Sequence, residues 1–143
     1  MMIISAIAIP VVNGVLDNYK LNSEARQLAE VLKVARNEAI YYGQTVTIVF
    51  YPNDNSYMTR YVNISGKKNT YHKLSNGIRY VGKTTFIPSG IERNPYCAFN
   101  SAGTPVTAGT VTLANKKGVK KYIIVNPVAG RVRISDNPPQ NWN

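Results

Sequence analysis

Leu21, Ala25, Leu28, Leu32, Ala35 and Ala39 recur at intervals of three and four residues, the spacing that lines one face of an α-helix. Lys20, Glu24, Gln27, Glu30, Lys33 and Asn37 fall largely off that face. Gly43 follows as a stop, because glycine accepts the left-handed conformation that commonly ends a helix. Upstream, Ile3 to Val12 is apolar apart from Ser5, and as helix it would extend the element to roughly 40 residues. Pro10 and Gly14 are expected to bend or loosen that helix near its start. A helix of this length buries its apolar face only against another layer of structure.

Beyond Gly43 the period changes from helical to alternating. Gln44–Tyr51 is rich in β-branched residues and leads into a turn at Pro52–Asn55, and Ser56–Ile64 returns as its partner. Ser65–Asn69 reads as a polar turn, Ile78–Val81 as a short strand and Ile87–Pro95 as loop. Tyr96–Asn100, Gly109–Asn115, Lys121–Asn126 and Gly130–Ser135 read as further strands. Lys116–Gly118 and Pro127–Ala129 make the tight links between the last three, and Asn137–Asn143 is an irregular tail. The expected architecture is α+β: a long N-terminal helix packed against an antiparallel sheet of about six or seven short strands. Residues 1–42 form the helix, amphipathic over 15–42, and residues 43–143 form a β-rich head.

A chain of 143 residues suits one domain with an ordinary core. Its 44% apolar content and 10 tyrosines exclude a disordered chain. Nothing in it recommends an enzyme. Cys97 is the single cysteine and His72 the single histidine, so no Cys/His cluster offers a metal site. A Cys97–His72 dyad has no local support, since Cys97 stands in an apolar stretch where buried thiols are inert. Four of the seven acids lie on the one helix, no phosphate-binding loop or dinucleotide fingerprint is present, and the reading is of no cofactor and no small-molecule substrate.

The apolar start is about 15 Å long as helix, roughly half a bilayer core. Its segment Ile7-Ala8-Ile9-Pro10 resembles the end of the N-terminal segment of type IV prepilins, in which an apolar run continues into an amphipathic helix. The preceding parts of that pattern (a basic leader, a glycine cleavage site, an aromatic residue and a glutamate) have no counterpart, which reads as an N-terminal truncation by trimming or a late start. Residues 3–12 are then a partial membrane segment, with Ile3, Ile4, Ile7, Ile9 and Pro10 serving membrane insertion and filament assembly.

The resemblance extends down the chain. Leu28-x-x-x-Leu32-x-x-Ala35-Arg36-x-Glu38-Ala39 is similar to the helix signature of the GspH/FimT family of pseudopilins and minor pilins. The alternating strand Thr45–Phe50, the run Phe99-Asn100-x-x-Gly103 before Gly109–Leu113, and Gly130–Ile134 follow in family order. The resemblance implies a minor pilin or pseudopilin, a structural subunit of a type IV pilus or type II secretion pseudopilus. Implied partners are other pilins in a filament and the inner membrane before assembly. The implied location is a bacterial inner membrane, single-pass, with an extracytoplasmic head.

The charge is +10, and no acid occurs between Glu92 and Asp136. Alternation places Arg131 and Arg133 on one face of the closing strand and Val132 and Ile134 on the core face. Lys116, Lys117, Lys120 and Lys121 on the preceding hairpin would extend a basic stripe. Paired guanidinium groups suit phosphate oxygens, and in some FimT-like members this Gly-Arg-x-Arg element is associated with DNA binding in natural transformation. The alternative function is therefore DNA uptake, with DNA as partner; the plainer reading is that Gly130 makes a turn and the arginines solubilise an outer strand. Stacking of single strands on the tyrosines is the weaker idea, since strand tyrosines are usually half-buried.

Overall fold

The computed structural model describes residues 2–82, 84–86 and 93–139, with side chains from Gly14 onward. Helix α1 runs from Met2 to Tyr42 as one element, through Pro10 and Gly14. Its 41 residues correspond to about 60 Å of axis. Leu21, Ala25, Leu28, Leu32, Ala35 and Ala39 are all buried to 1% exposure or less, so the periodic stripe is the buried face. The alanines of the stripe leave room for the strands packed on it, and each buried leucine contributes roughly 2 kcal/mol of transfer free energy. Gly43 ends the helix at φ 64°, and the Gln44 N–H donates back to the Ala39 carbonyl at 3.2 Å, which satisfies a carbonyl the helix leaves open. Glu24 departs from expectation: it is 4% exposed and points into the head.

Among the described residues eight strands follow, rather than six or seven: β1 (Val46–Tyr51), β2 (Ser56–Tyr61), β3 (Thr70–Lys73), β4 (Arg79–Tyr80), β5 (Tyr96–Phe99), β6 (Gly109–Ala114), β7 (Lys120–Val125) and β8 (Val132–Ser135). They form two antiparallel sheets of four, ordered β3-β2-β1-β5 and β4-β6-β7-β8, not one curved sheet. Strand β4 forms its ladder with β6, which splits the strands into two groups, while the Tyr80 N–H and hydroxyl reach across to Asn55 Oδ1 and the Ser56 carbonyl of the β1–β2 hairpin at 3.3 and 2.9 Å. Both sheets lay their inner faces on α1. Val46, Ile48, Phe50, Tyr57, Cys97 and Phe99 come from the first sheet, and Val111, Leu113, Ile123, Val125 and Val132 from the second. Phe86, after β4, stacks on Phe50 with ring centroids 5.3 Å apart. Ile87–Pro95, expected as loop, lies mostly outside the described residues, as does the tail from Gln140. Among the described residues no helix is long and apolar enough to cross a membrane.

Candidate anion-binding surface

The closing strand is shaped by Asn126. Its side-chain oxygen accepts from the Val128 and Ala129 N–H groups at 2.9 and 3.1 Å, and its own N–H donates to the Arg131 carbonyl at 2.9 Å. Gly130 turns the chain at φ 67°. A Cβ at Gly130 would stand 2.7 Å from the Gly103 carbonyl oxygen and 3.2 Å from Arg36 Nε. The glycine therefore does more than turn: it lets α1, the Gly103 loop and the link into β8 meet.

Arg131 and Arg133 are both exposed, the first in the link just before β8 and the second within it. Val132 is buried at 7%, but Ile134, expected in the core, is 37% exposed. Strand β8 is the edge of its sheet, so nothing beyond it covers the outer side of that isoleucine.

Two of the hairpin lysines, Lys116 and Lys117, stand away from Arg131. Asn115 closes the β6–β7 hairpin, accepting from the Lys117 and Val119 N–H groups at 3.0 and 3.1 Å, and its amide donates to Asn18 of α1 at 3.0 Å. The tip is thereby pinned near the early turns of the head-bound helix, with Lys117 Nζ over Gly14 and the Lys116 chain over Gly77. Arg131 instead sits beside Arg36. The 22 helix residues between Gly14 and Arg36 correspond to about 33 Å, so Lys116 and Lys117 lie at the opposite end of the head. Lys121 pairs with Asp136, and Lys120 is exposed beside it.

What the fold does bring to Arg131 is a set of helix residues. An open notch of about 270 Å³ is lined by Lys33, Arg36, Asn37, Gly130, Arg131 and Val132. Arg36 Nε donates to the Gly103 carbonyl at 3.0 Å. Sequence reading placed Lys33 and Arg36 only in the helix pattern. The available signal was their spacing, since Lys33, Arg36 and Asn37 stand at i, i+3 and i+4 and share one face.

A second polar cluster was also missed. The Glu24 carboxylate accepts from the Ser75 N–H at 2.9 Å and the Ser75 hydroxyl at 2.5 Å, and meets His72 Nε2 at 3.3 Å. His72 Nδ1 lies 3.3 Å from the Gln27 amide nitrogen. His72 thus belongs to strand β3 and is half-buried against α1 rather than lying in an exposed segment. Strands β1 and β2 separate β3 from β5, which keeps His72 roughly three strand spacings, about 14 Å, from Cys97. Burial pushes the Cys97 thiol far above its ordinary range, so it is held in the unreactive protonated form. The tyrosines are scattered: Tyr57 is buried, Tyr61 and Tyr80 are half-buried, and of the exposed ones Tyr19 and Tyr41 stand 22 residues apart on α1 while Tyr71 is on β3.

A helix stripe packed on two small antiparallel sheets can be set beside known proteins. The family described as type II transport protein GspH matches residues 24–130 of the chain, which includes most of the helix stripe and the strands through β7. The chain belongs to the GspH family. Among solved structures, the type IV minor pilin FimU of Pseudomonas aeruginosa is 18% identical, with TM-score 0.58 over 85% of this chain and 90% of that one. The minor pseudopilin EpsH of the Vibrio cholerae type II secretion system is 14% identical, with TM-score 0.60 over 81% of this chain and 96% of that one. At these identities the two structures speak to the fold, which this GspH-family chain shares. Curated protein sequences give no significant match.

Proposed function

We propose that this GspH-family protein is a minor pilin or pseudopilin, a structural subunit built into a type IV pilus or type II secretion pseudopilus through α1. The observation that carries the reading is the early part of the helix. Val15, Leu16 and Tyr19 are 65%, 46% and 68% exposed, and they continue an apolar sequence, Ile3–Val12, toward the N-terminus. Exposed apolar side chains along a helix call for a second surface; a lipid core before assembly and neighbouring helices afterwards supply it. In this reading Ile3, Ile4, Ile7, Ile9 and Pro10 serve the membrane and filament stage, the head is extracytoplasmic, and the role is structural rather than catalytic. The test is to shear and purify filaments from cells expressing the chain with its neighbouring pilin genes, then to probe for the head. The chain should be present in low copy, and Ile7→Arg with Ile9→Arg should remove it. Its absence from wild-type filaments contradicts the proposal.

A second reading, DNA capture by the head, is favoured by one observation: Arg131, just before the edge strand β8, and Arg133, within it, are exposed, and neither takes part in an ion pair among the described residues. Wild-type protein is then retained on DNA at low salt and released as salt rises, and Arg131→Ala with Arg133→Ala loses that retention. No retention of the wild type at low salt ends this reading.

A further inference from the structure

We infer that the notch between α1 and the link into β8 is a binding site for a phosphate group, with Lys33, Arg36 and Arg131 as its ligands. Three cationic side chains, two from α1 and one from the link into β8, line one open space of about 270 Å³, and none of the described lining residues is an acid. Of the nearby acids of α1, two are held by partners elsewhere and the third lines a different groove. Glu38 pairs with Lys67 at 3.5 Å, Glu24 is held by Ser75 and His72, and Glu30 lines a separate groove beside Tyr61 and Thr70. Among the described residues no ion pair engages Lys33, Arg36 or Arg131. Like charges gathered without a counter-charge repel, and an anion seated among them removes that repulsion.

The site is held in place rather than merely basic. Arg36 is half-buried, and its single Nε–H is spent on the Gly103 carbonyl at 3.0 Å. This fixes the guanidinium plane and leaves the two terminal amino groups for a ligand. Gly130 preserves that arrangement, since any side chain there collides with the Gly103 carbonyl. Asn37 adds an amide on the same helix face. Donors arriving from the helix on one side and the β8 link on the other suit a tetrahedral oxyanion with oxygens in several directions. Arg133 is not among the lining residues, so this site differs from the strand pair of the DNA reading. It also stands independently of the filament reading.

The test uses the full chain in a neutral detergent, labelled with nitrogen-15 and followed by amide chemical shifts. It is titrated at constant ionic strength with inorganic phosphate and, separately, with a short single-stranded oligodeoxynucleotide. Saturable shifts should gather at residues 33–37 and 130–132. Lys33→Gln and Arg131→Gln should each weaken binding about tenfold, the usual size for loss of one charge-assisted hydrogen bond. Both side chains are exposed, so these variants keep the fold, which the remaining spectrum reports. Response to phosphate alone identifies the free ion as ligand, and response to the oligonucleotide identifies a phosphodiester; either supports the site. No saturable shift in the notch with either probe overturns it, as does binding that both variants leave unchanged.

Discussion

Glu24 shows how a single residue joins the helix to the first sheet. Its carboxylate is buried, and Ser75 and His72 together supply the partners that make burial tolerable. Glu24→Ala should therefore cost about 2–3 kcal/mol in urea unfolding, more than an exposed substitution, which stays near 0.5 kcal/mol. Tyr57 is the opposite case. Its hydroxyl is buried without a partner among the described residues, so Tyr57→Phe should leave stability unchanged or raise it by up to about 1 kcal/mol. Burial, with Glu24 nearby, also raises the Tyr57 phenol well above 10.0, and burial raises Tyr80 likewise. At alkaline pH the unfolded chain gives up these protons while the native chain keeps them. Stability is then full below about pH 10 and falls as pH rises beyond it. Tyr57→Phe should shallow that alkaline decline, measured by denaturant midpoints across pH. At Gly130, alanine would combine a φ of 67° with a clash against Gly103, and Gly130→Ala should lose about 2–3 kcal/mol.

At the scale of elements, Asn115 holds the β6–β7 hairpin closed and ties it to Asn18. Asn115→Ala leaves two part-buried N–H groups without their acceptor and should cost about 1–2 kcal/mol. Hydrogen exchange should then quicken at residues 115–121 while β1 and β2 keep their protection. The sequence made some of these elements plain. Helix period, glycine stop and the cores of β1, β2, β6 and β7 are local patterns of apolar spacing, and all six stripe residues from Leu21 to Ala39 are buried, with Ala29 and Glu24 added to that face. Strand β3 was hidden because Thr70-Tyr71-His72-Lys73 is a polar edge strand with no alternation to read. The division into two sheets depends on β4 pairing with β6, some 35 residues on in the chain, and such partners leave no local mark. The separation of Lys116 and Lys117 from Arg131 has the same origin: neighbours in sequence were set at opposite ends of the head by what Asn115 and Gly130 each touch. The notch was half legible, with Lys33 and Arg36 on one helix face and Arg131 on a recognisable motif. Their meeting required the packing of β8 on α1.

The whole molecule is a long helix of which one stretch is buried under two sheets and another presents Val15, Leu16 and Tyr19 to the surroundings. The GspH-family match and the fold shared with a minor pilin and a minor pseudopilin accord with a head that folds around the later part of the helix and assembles through the earlier part. Tyr19 is the informative position, because it is exposed, apolar in body and placed just before the buried stripe begins at Leu21. The most direct test replaces Tyr19 with a photo-crosslinking amino acid in cells that assemble the filament, followed by identification of the partner captured on illumination. The account predicts crosslinks to the N-terminal helices of other pilin-like subunits, and their loss when assembly is blocked. A chain that crosslinks to no such subunit while filaments form normally would contradict it.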